Sequence, residues 1–83
     1  MTPSQKAALA ELATKTIEQI QVETAQTWAY RAWAARYLAA SASGDARDNL
    51  LHDAASYTDE AIEHAALSGD DDILAAVRRI VSE

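Results

Sequence analysis

The chain has 83 residues, contains no cysteine and carries a formal net charge of −6 at pH 7. It is long enough for one domain at most, and neither a disulfide nor a thiolate metal site supports its fold. Residues 44–83 contain ten Asp and Glu but only three Arg. This excess of negative charge argues against binding to nucleic acid or to an anionic membrane surface. Because the sequence shows neither a secretory signal pattern nor a run of 18 apolar residues, we expect a cytoplasmic protein.

Alanine supplies about half of the hydrophobic residues, with twenty Ala against fifteen Leu, Ile and Val. Alanine buries little apolar area, so the sequence predicts a thin core and a folding free energy close to zero for the isolated chain. A partner chain is the simplest way to bury more apolar surface.

Three helix-breaking residues divide the chain where helices are expected to begin or end: Pro3, Gly44 and Gly69. Each glycine follows a serine and precedes an aspartate, the pattern of a helix end, a turn and a new N-cap. No alternating stretch of strand length competes with this pattern. The sequence therefore predicts an all-α fold, a long helical hairpin or three-helix bundle in one domain of residues 1–83, with helices at about 3–42, 45–67 and 71–82.

The first helix is expected to begin with a capping box at Thr2-Pro3-Ser4-Gln5, with proline at the first helical position. Several β-branched residues between 14 and 27 lower the helix propensity, so a kink or break near 21–24 is the alternative. No Gly, Pro or Asn marks such a break, and we expect a continuous or gently kinked helix.

Four of the five aromatic residues lie within ten positions of this helix: Trp28, Tyr30, Trp33 and Tyr37. At 100° per residue, Trp28 shares one side with the expected core residues Ile17, Ile20, Thr24, Ala32, Ala35 and Ala39. The other three rings fall on the opposite side, which also carries Glu23 and Gln26, and two arginines lie between the two sides (Arg31 and Arg36). The first helix therefore has two apolar sides.

The two later helices each carry one apolar stripe. The stripe of helix 45–67 contains Leu50, Leu51, Ala54, Ala55, Thr58, Ala61, Ile62 and Ala65, and that of helix 71–82 contains Ile73, Leu74, Val77, Ile80 and Val81. If these helices wrap around the first helix, one chain buries both of its sides. We favour the other arrangement, in which one side closes the chain and the second side meets another protein.

Exposed Trp and Tyr clusters flanked by Arg are typical of interface hot spots. The predicted partner-binding residues are therefore Tyr30, Trp33, Tyr37, Arg31 and Arg36. The simplest partner is a second copy, which would give a homodimer with the long helices antiparallel.

The segment Asp59-Glu60-Ala61-Ile62-Glu63-His64 shows a faint resemblance to the ligand helix of ferritin-like metal proteins, and Glu23 of the first helix could add a ligand. Those proteins place Glu three residues before His and direct both into the core. Here Ala61 stands three residues before His64, and the acidic and histidine side chains fall opposite the apolar stripe. We expect no metal and no cofactor; the weak candidate ligands are Glu23, Glu60, Glu63 and His64.

No nucleophile–base set, phosphate loop or nucleotide fingerprint occurs in the sequence, and we expect no enzyme and no catalytic residues. The sequence favours a small acidic interaction module, which would act as an adaptor, an assembly subunit or an inhibitor. Two alternatives remain: a ferritin-like half-bundle that completes a metal site by dimerising, and an acidic mimic of nucleic acid that blocks a basic partner.

Overall fold

The computed structural model describes residues 1–82 and contains three α-helices, α1 (Pro3–Ala39), α2 (Gly44–Leu67) and α3 (Asp71–Ser82). The predicted all-α fold is confirmed and takes the form of a three-helix bundle. Residue 83 of the expected domain lies outside the described residues. Helix α1 continues through residues 21–24 without a break and ends three residues earlier than expected.

Helix α1 begins with the predicted capping box, whereas α2 begins without a side-chain cap. At the start of α1, the Gln5 backbone N–H donates to Thr2 Oγ1 at 3.2 Å, and the Thr2 N–H donates to Gln5 Oε1 at 2.9 Å. Helix α2 begins at Gly44, which adopts a φ of 61°. Ser43 rather than Asp45 therefore occupies the N-cap position, and Asp45 lies in the first turn.

The start of α3 matches the sequence pattern more closely. The carboxylate of Asp70 accepts hydrogen bonds from the backbone N–H groups of Asp72 at 2.9 Å and Ile73 at 3.2 Å. The preceding turn needs the left-handed conformation of Gly69, whose φ is 71°. Ser68 holds this turn, since its hydroxyl donates to the Ala65 carbonyl and accepts from the Asp70 N–H.

Helix α2 runs antiparallel to the C-terminal half of α1. His64, near the end of α2, contacts Gln21, and Tyr57 packs on Trp28 further along α1. Helix α3 then returns parallel to α1, because its first turn lies beside residues 19–22 and its last turn contacts Arg36. The bundle therefore covers α1 from about residue 21 to its end.

The core is built almost entirely of alanine. Eight of the ten buried hydrophobic residues are Ala, and we call their line on α1 the alanine seam: Ala25, Ala29, Ala32, Ala35 and Ala39. Val77 of α3 is the largest fully buried side chain, and larger residues such as Trp28 pack around the margin of the core. The small side chains bring the helices close together but bury little area, as the composition predicts.

The molecule is elongated, with extents of 63 × 20 × 13 Å. Its radius of gyration of 17.1 Å exceeds the roughly 12 Å expected of a compact chain of this length. The cause is the difference in helix length, since α1 has 37 residues and α2 has 24. We call residues 3–20 the arm; every one of them is exposed.

Within residues 1–82, no helix combines the length and the apolar character needed to cross a membrane.

Candidate protein interaction surface

Three aromatic side chains form a patch on the exposed side of α1. Tyr30 is 62% exposed, Trp33 44% and Tyr37 65%. The rings of Trp33 and Tyr37 stack with centroids 5.4 Å apart and an interplanar angle of 22°. These three residues are the aromatic patch. Because two of its rings already pack against each other, they would lose little side-chain freedom on meeting a partner.

Helical geometry explains why these rings face outward. The alanine seam takes up the side of α1 that α2 and α3 cover, and the aromatic patch lies roughly opposite it at 100° per residue. The fourth ring of this segment, Trp28, lies beside the seam and is half-buried. It packs on Tyr57 with ring centroids 5.5 Å apart. The predicted division of the rings between two sides of the helix is confirmed.

The two arginines flanking the patch have different environments. Arg31 is exposed, and its guanidinium carbon lies 4.8 Å from the centroid of the Trp28 ring, a cation–π contact. Arg36 is half-buried, and its Nη2 donates to the Ile80 carbonyl at 3.0 Å. That carbonyl belongs to the last turn of α3, where helical partners run out. The sequence placed Arg36 between the two sides of α1; the structure places it on the inner side, engaged within the chain.

The arm carries four more exposed aliphatic residues: Leu9, Leu12, Ile17 and Ile20, each 54–61% exposed. The prediction that Ile17 and Ile20 belong to the core seam is wrong. Helix α2 ends at Leu67 and the turn into α3 lies beside residues 15–22, so no helix of the described residues 1–82 covers this part of α1. The shorter length of α2, readable from the positions of Gly44 and Gly69, is the signal that identifies these residues as uncovered.

Together with Leu38, these residues form a broad band of exposed apolar side chains along α1, which we call the outer face; Ile17 lies at its edge, toward the side that the alanine seam occupies further along the helix. Its large members are Leu9, Leu12, Ile17, Ile20, Tyr30, Trp33, Tyr37 and Leu38. They include most of the exposed large hydrophobic side chains of residues 1–82; the others are Met1, Leu51 and Leu67. Exposed large apolar side chains gathered along one helix mark a site of interaction more often than singly scattered ones do.

The candidate metal ligands do not come together. Glu23 is exposed and accepts a weak hydrogen bond from Gln19 at 3.5 Å. His64 lies 3.5 Å from Glu60 on the same helix, and Glu63 is exposed. No group of three His, Asp or Glu side chains among residues 1–82 is placed to hold a metal ion.

The position of His64 corrects one further expectation. The sequence pattern assigns it to the solvated side of α2, but it is partly buried at the boundary with α1, with Nδ1 2.5 Å from Gln21 Oε1. The long first helix reaches this side chain because it passes the end of α2.

A surface groove lies between α1 and the turn from α2 to α3. It is open, has a volume of about 530 Å³, and is lined by Lys15, Glu18, Gln19, Val22 and residues 68–72. Its central carboxylate, Asp70, is occupied as the cap of α3. The groove is therefore explained by helix capping, and the outer face of α1 is the stronger candidate site.

Comparisons with protein-family models, with curated proteins and with solved structures find no match to this chain.

Proposed function

We propose that this protein is a small, non-catalytic interaction module that binds a partner protein through the outer face of α1. The observation that carries the proposal is the aromatic patch, whose three rings stay uncovered although two other helices pack on the same α1. Trp and Tyr are the residues most often found at interface hot spots, because each combines a large apolar area with a polar tip.

The distribution of charge supports the same surface. The described acids after residue 43 lie on α2, α3 and the turn between them, whereas the outer face carries few charged groups. Depletion of charge at the centre and polar groups at the rim are typical of an interface core. Exposed Arg31, beside the patch, supplies a rim cation. The module would act by occupying a partner's surface, as an adaptor, an assembly subunit or an inhibitor does.

Site-specific photo-crosslinking tests this proposal. A benzophenone amino acid is placed at Tyr37, and a matched variant carries it at Ser56, an exposed residue of α2. In the cell that makes the protein, we expect a discrete adduct from position 37 and none from position 56, with the bound protein identified by mass spectrometry. Replacing Tyr30 and Trp33 by Ala should remove the adduct.

Equal adducts at both positions, or none at position 37, would contradict the proposal. Circular dichroism of each variant checks that its helix content is unchanged, so that a lost adduct reports lost binding rather than unfolding.

A further inference from the structure

We infer that the occupant of the outer face is a second copy of this chain, with the two α1 helices antiparallel and the arm of each covering the aromatic patch of the other. This inference rests on the proposed function and names the partner. One contact would then explain two features of residues 1–82: the arm is exposed along its whole length, and no helix of this part of the chain covers the aromatic patch.

The outer face has the spacing of a helix-pairing surface. Steps of four and three residues connect Leu9, Ala13, Thr16, Ile20, Glu23, Thr27, Tyr30, Ala34 and Tyr37, which we call the heptad line. All of these residues are exposed except Ala34, which is half-buried. A seven-residue repeat keeps one side of a helix in contact with a second helix over several turns. Only Glu23 on this line is charged.

The two threonines of the heptad line carry no unmet hydrogen-bond donor. Thr16 donates its hydroxyl to the Leu12 carbonyl at 2.9 Å, and Thr27 donates to the Glu23 carbonyl at 3.0 Å. Burial therefore leaves neither donor without a partner, and the cost of removing these side chains from water is small. Their methyl groups are free to pack against a neighbouring helix.

The opposite side of the arm is polar. Continuing the alanine seam toward the N-terminus leads through Val22 to Glu18, Lys15 and Glu11. Glu11 and Lys15 form an exposed ion pair at 3.4 Å, one helical turn apart. Further along α1, this side of the helix packs on α2. Within the arm, the same side carries charged residues that are suited to contact with water. In the arm, Leu9 and Ile20 lie on the heptad line, where a second α1 would pack, and Ile17 lies at its edge, toward the side that the seam occupies further along the helix.

The order of large and small residues selects the antiparallel direction. In a parallel pair, equivalent positions meet, which would bring Glu23 against Glu23 and Tyr30 against Tyr30. Like charges brought together in an interface cost several kcal/mol. The heptad line alternates between two sets of residues, one that contains Tyr30 and Tyr37 and one that contains Ala13 and Ile20. In an antiparallel pair, residues of one set meet residues of the other set in the second copy. The tyrosines therefore face the set that contains Ala13 and Ile20. Large side chains then pack against smaller ones, and the two Glu23 carboxylates no longer share a layer.

The available area reaches the lower limit for a specific dimer. The heptad line from residue 9 to residue 37 is about 42 Å long at 1.5 Å per residue. With a contact strip roughly 12 Å wide on a helix of that diameter, two copies bury about 1,000 Å² in total. This value reaches the size at which specific interfaces begin, and Trp33 and Leu38 beside the line extend it.

Distances between spin labels test the arrangement, and the absence of native cysteine makes single labelling direct. A label at Lys6 lies far from the two-fold axis of the antiparallel dimer, and we expect the two labels about 45–60 Å apart. A matched label at Gln26 lies near that axis and should give a distance below roughly 25 Å. A parallel pair would give short distances at both positions, and that result would overturn the inference.

A matched pair of charge substitutions tests the contact itself. Ile20→Lys places a cation on the outer face of the arm, and Thr14→Lys places the same charge on its polar side. Sedimentation equilibrium should show a dimer for the wild type and Thr14→Lys, and a dissociation constant at least tenfold higher for Ile20→Lys. A dimer unaffected by Ile20→Lys, with helix content unchanged, would refute the contact.

The two proposals fail in different ways. A wild-type chain that remains monomeric at 0.5 mM overturns the second copy as partner. If the benzophenone at position 37 then captures a different protein, the interaction function stands without the dimer. If position 37 captures nothing, both proposals fall.

Discussion

Trp28 and Trp33 lie five residues apart on one helix, yet their surroundings assign them opposite roles. Trp28 is half-buried against Tyr57, with Arg31 over its ring. Trp33 stacks only on Tyr37 and remains 44% exposed. One ring therefore contributes to folding of the chain, and the other is available for contact with a partner.

Alanine substitution should separate these roles. We expect Trp28→Ala to lower the free energy of unfolding by about 2 kcal/mol or more, because it removes a large side chain that packs on the core margin. Trp33→Ala should change it by no more than about 0.5 kcal/mol, as is usual for a surface position. Urea denaturation followed by circular dichroism, at a concentration low enough to keep the chain monomeric, gives both values. Equal losses would show that Trp33 also supports the fold.

The sequence predicted the side of α1 on which each aromatic ring lies, because that depends only on the angle of 100° between successive helical residues. The division between Trp28 and the aromatic patch follows from counting 100° per residue. It did not identify the inward position of Arg36 or the contact of His64 with Gln21. Those two contacts depend on where a second helix passes, and neither periodicity nor composition of the chain contains that information.

At the scale of elements, the turn between α2 and α3 depends on the backbone of a single residue. Gly69 has a φ of 71°, and a Cβ built on it meets no atom within 4 Å. The space is open, so the cost of a side chain there comes from the backbone conformation alone.

We therefore expect Gly69→Ala to destabilise the protein by about 1 kcal/mol, the cost of placing a non-glycine residue in the left-handed region. Gly69→Asn should cost less, because asparagine tolerates this conformation better. Thermal unfolding of the two variants makes the comparison. A stabilised Gly69→Ala would mean that the turn adopts another conformation in solution.

The arm should be the least protected helical segment. All of its residues are exposed, and most helical stability in proteins comes from tertiary packing. In dilute protein, amides of residues 7–20 should exchange with deuterium at least tenfold faster than those of residues 25–39, because local opening there breaks no core contact. Exchange read by nuclear magnetic resonance gives the ratio, and uniform protection along α1 would contradict it.

Sequence patterns predicted where the helices begin and end better than they predicted which helix packs on which residues. Thr2, Pro3 and Asp70 act at helix ends as their residue types predict, whereas Asp45 lies in the first turn of α2 rather than at its cap. The exposure of Ile17 and Ile20 was missed because a helical phase says which residues share a side. It does not say how far along the helix that side is covered.

At the scale of the whole molecule, the elongated shape follows from the unequal helix lengths, and the thin core follows both from them and from the alanine composition. Helix α1 is longer than the helices that cover it, so about half of it contributes exposed surface and no core. In the dimer that we propose, a second chain adds buried surface, and stability would then depend on concentration.

We expect the thermal midpoint of the wild type to rise with protein concentration, because association removes folded monomer from the unfolding equilibrium. Between 5 and 500 µM the rise should be several degrees, while Ile20→Lys should show a much smaller one. Differential scanning calorimetry measures both series. A midpoint independent of concentration in the wild type would indicate that no association is linked to folding.

The alanine seam makes the bundle insensitive to shorter side chains and sensitive to larger ones. Most cores are damaged by shortening side chains, but a line of alanines has almost nothing to shorten. The seam is instead sensitive to larger side chains. Each added methyl group would push α2 or α3 away from α1, and overpacking of this kind costs about 1–3 kcal/mol per site. The spacing between the helices is therefore set by a maximum side-chain size, and a chain that drifts toward larger residues along Ala25–Ala39 loses its fold while becoming more hydrophobic.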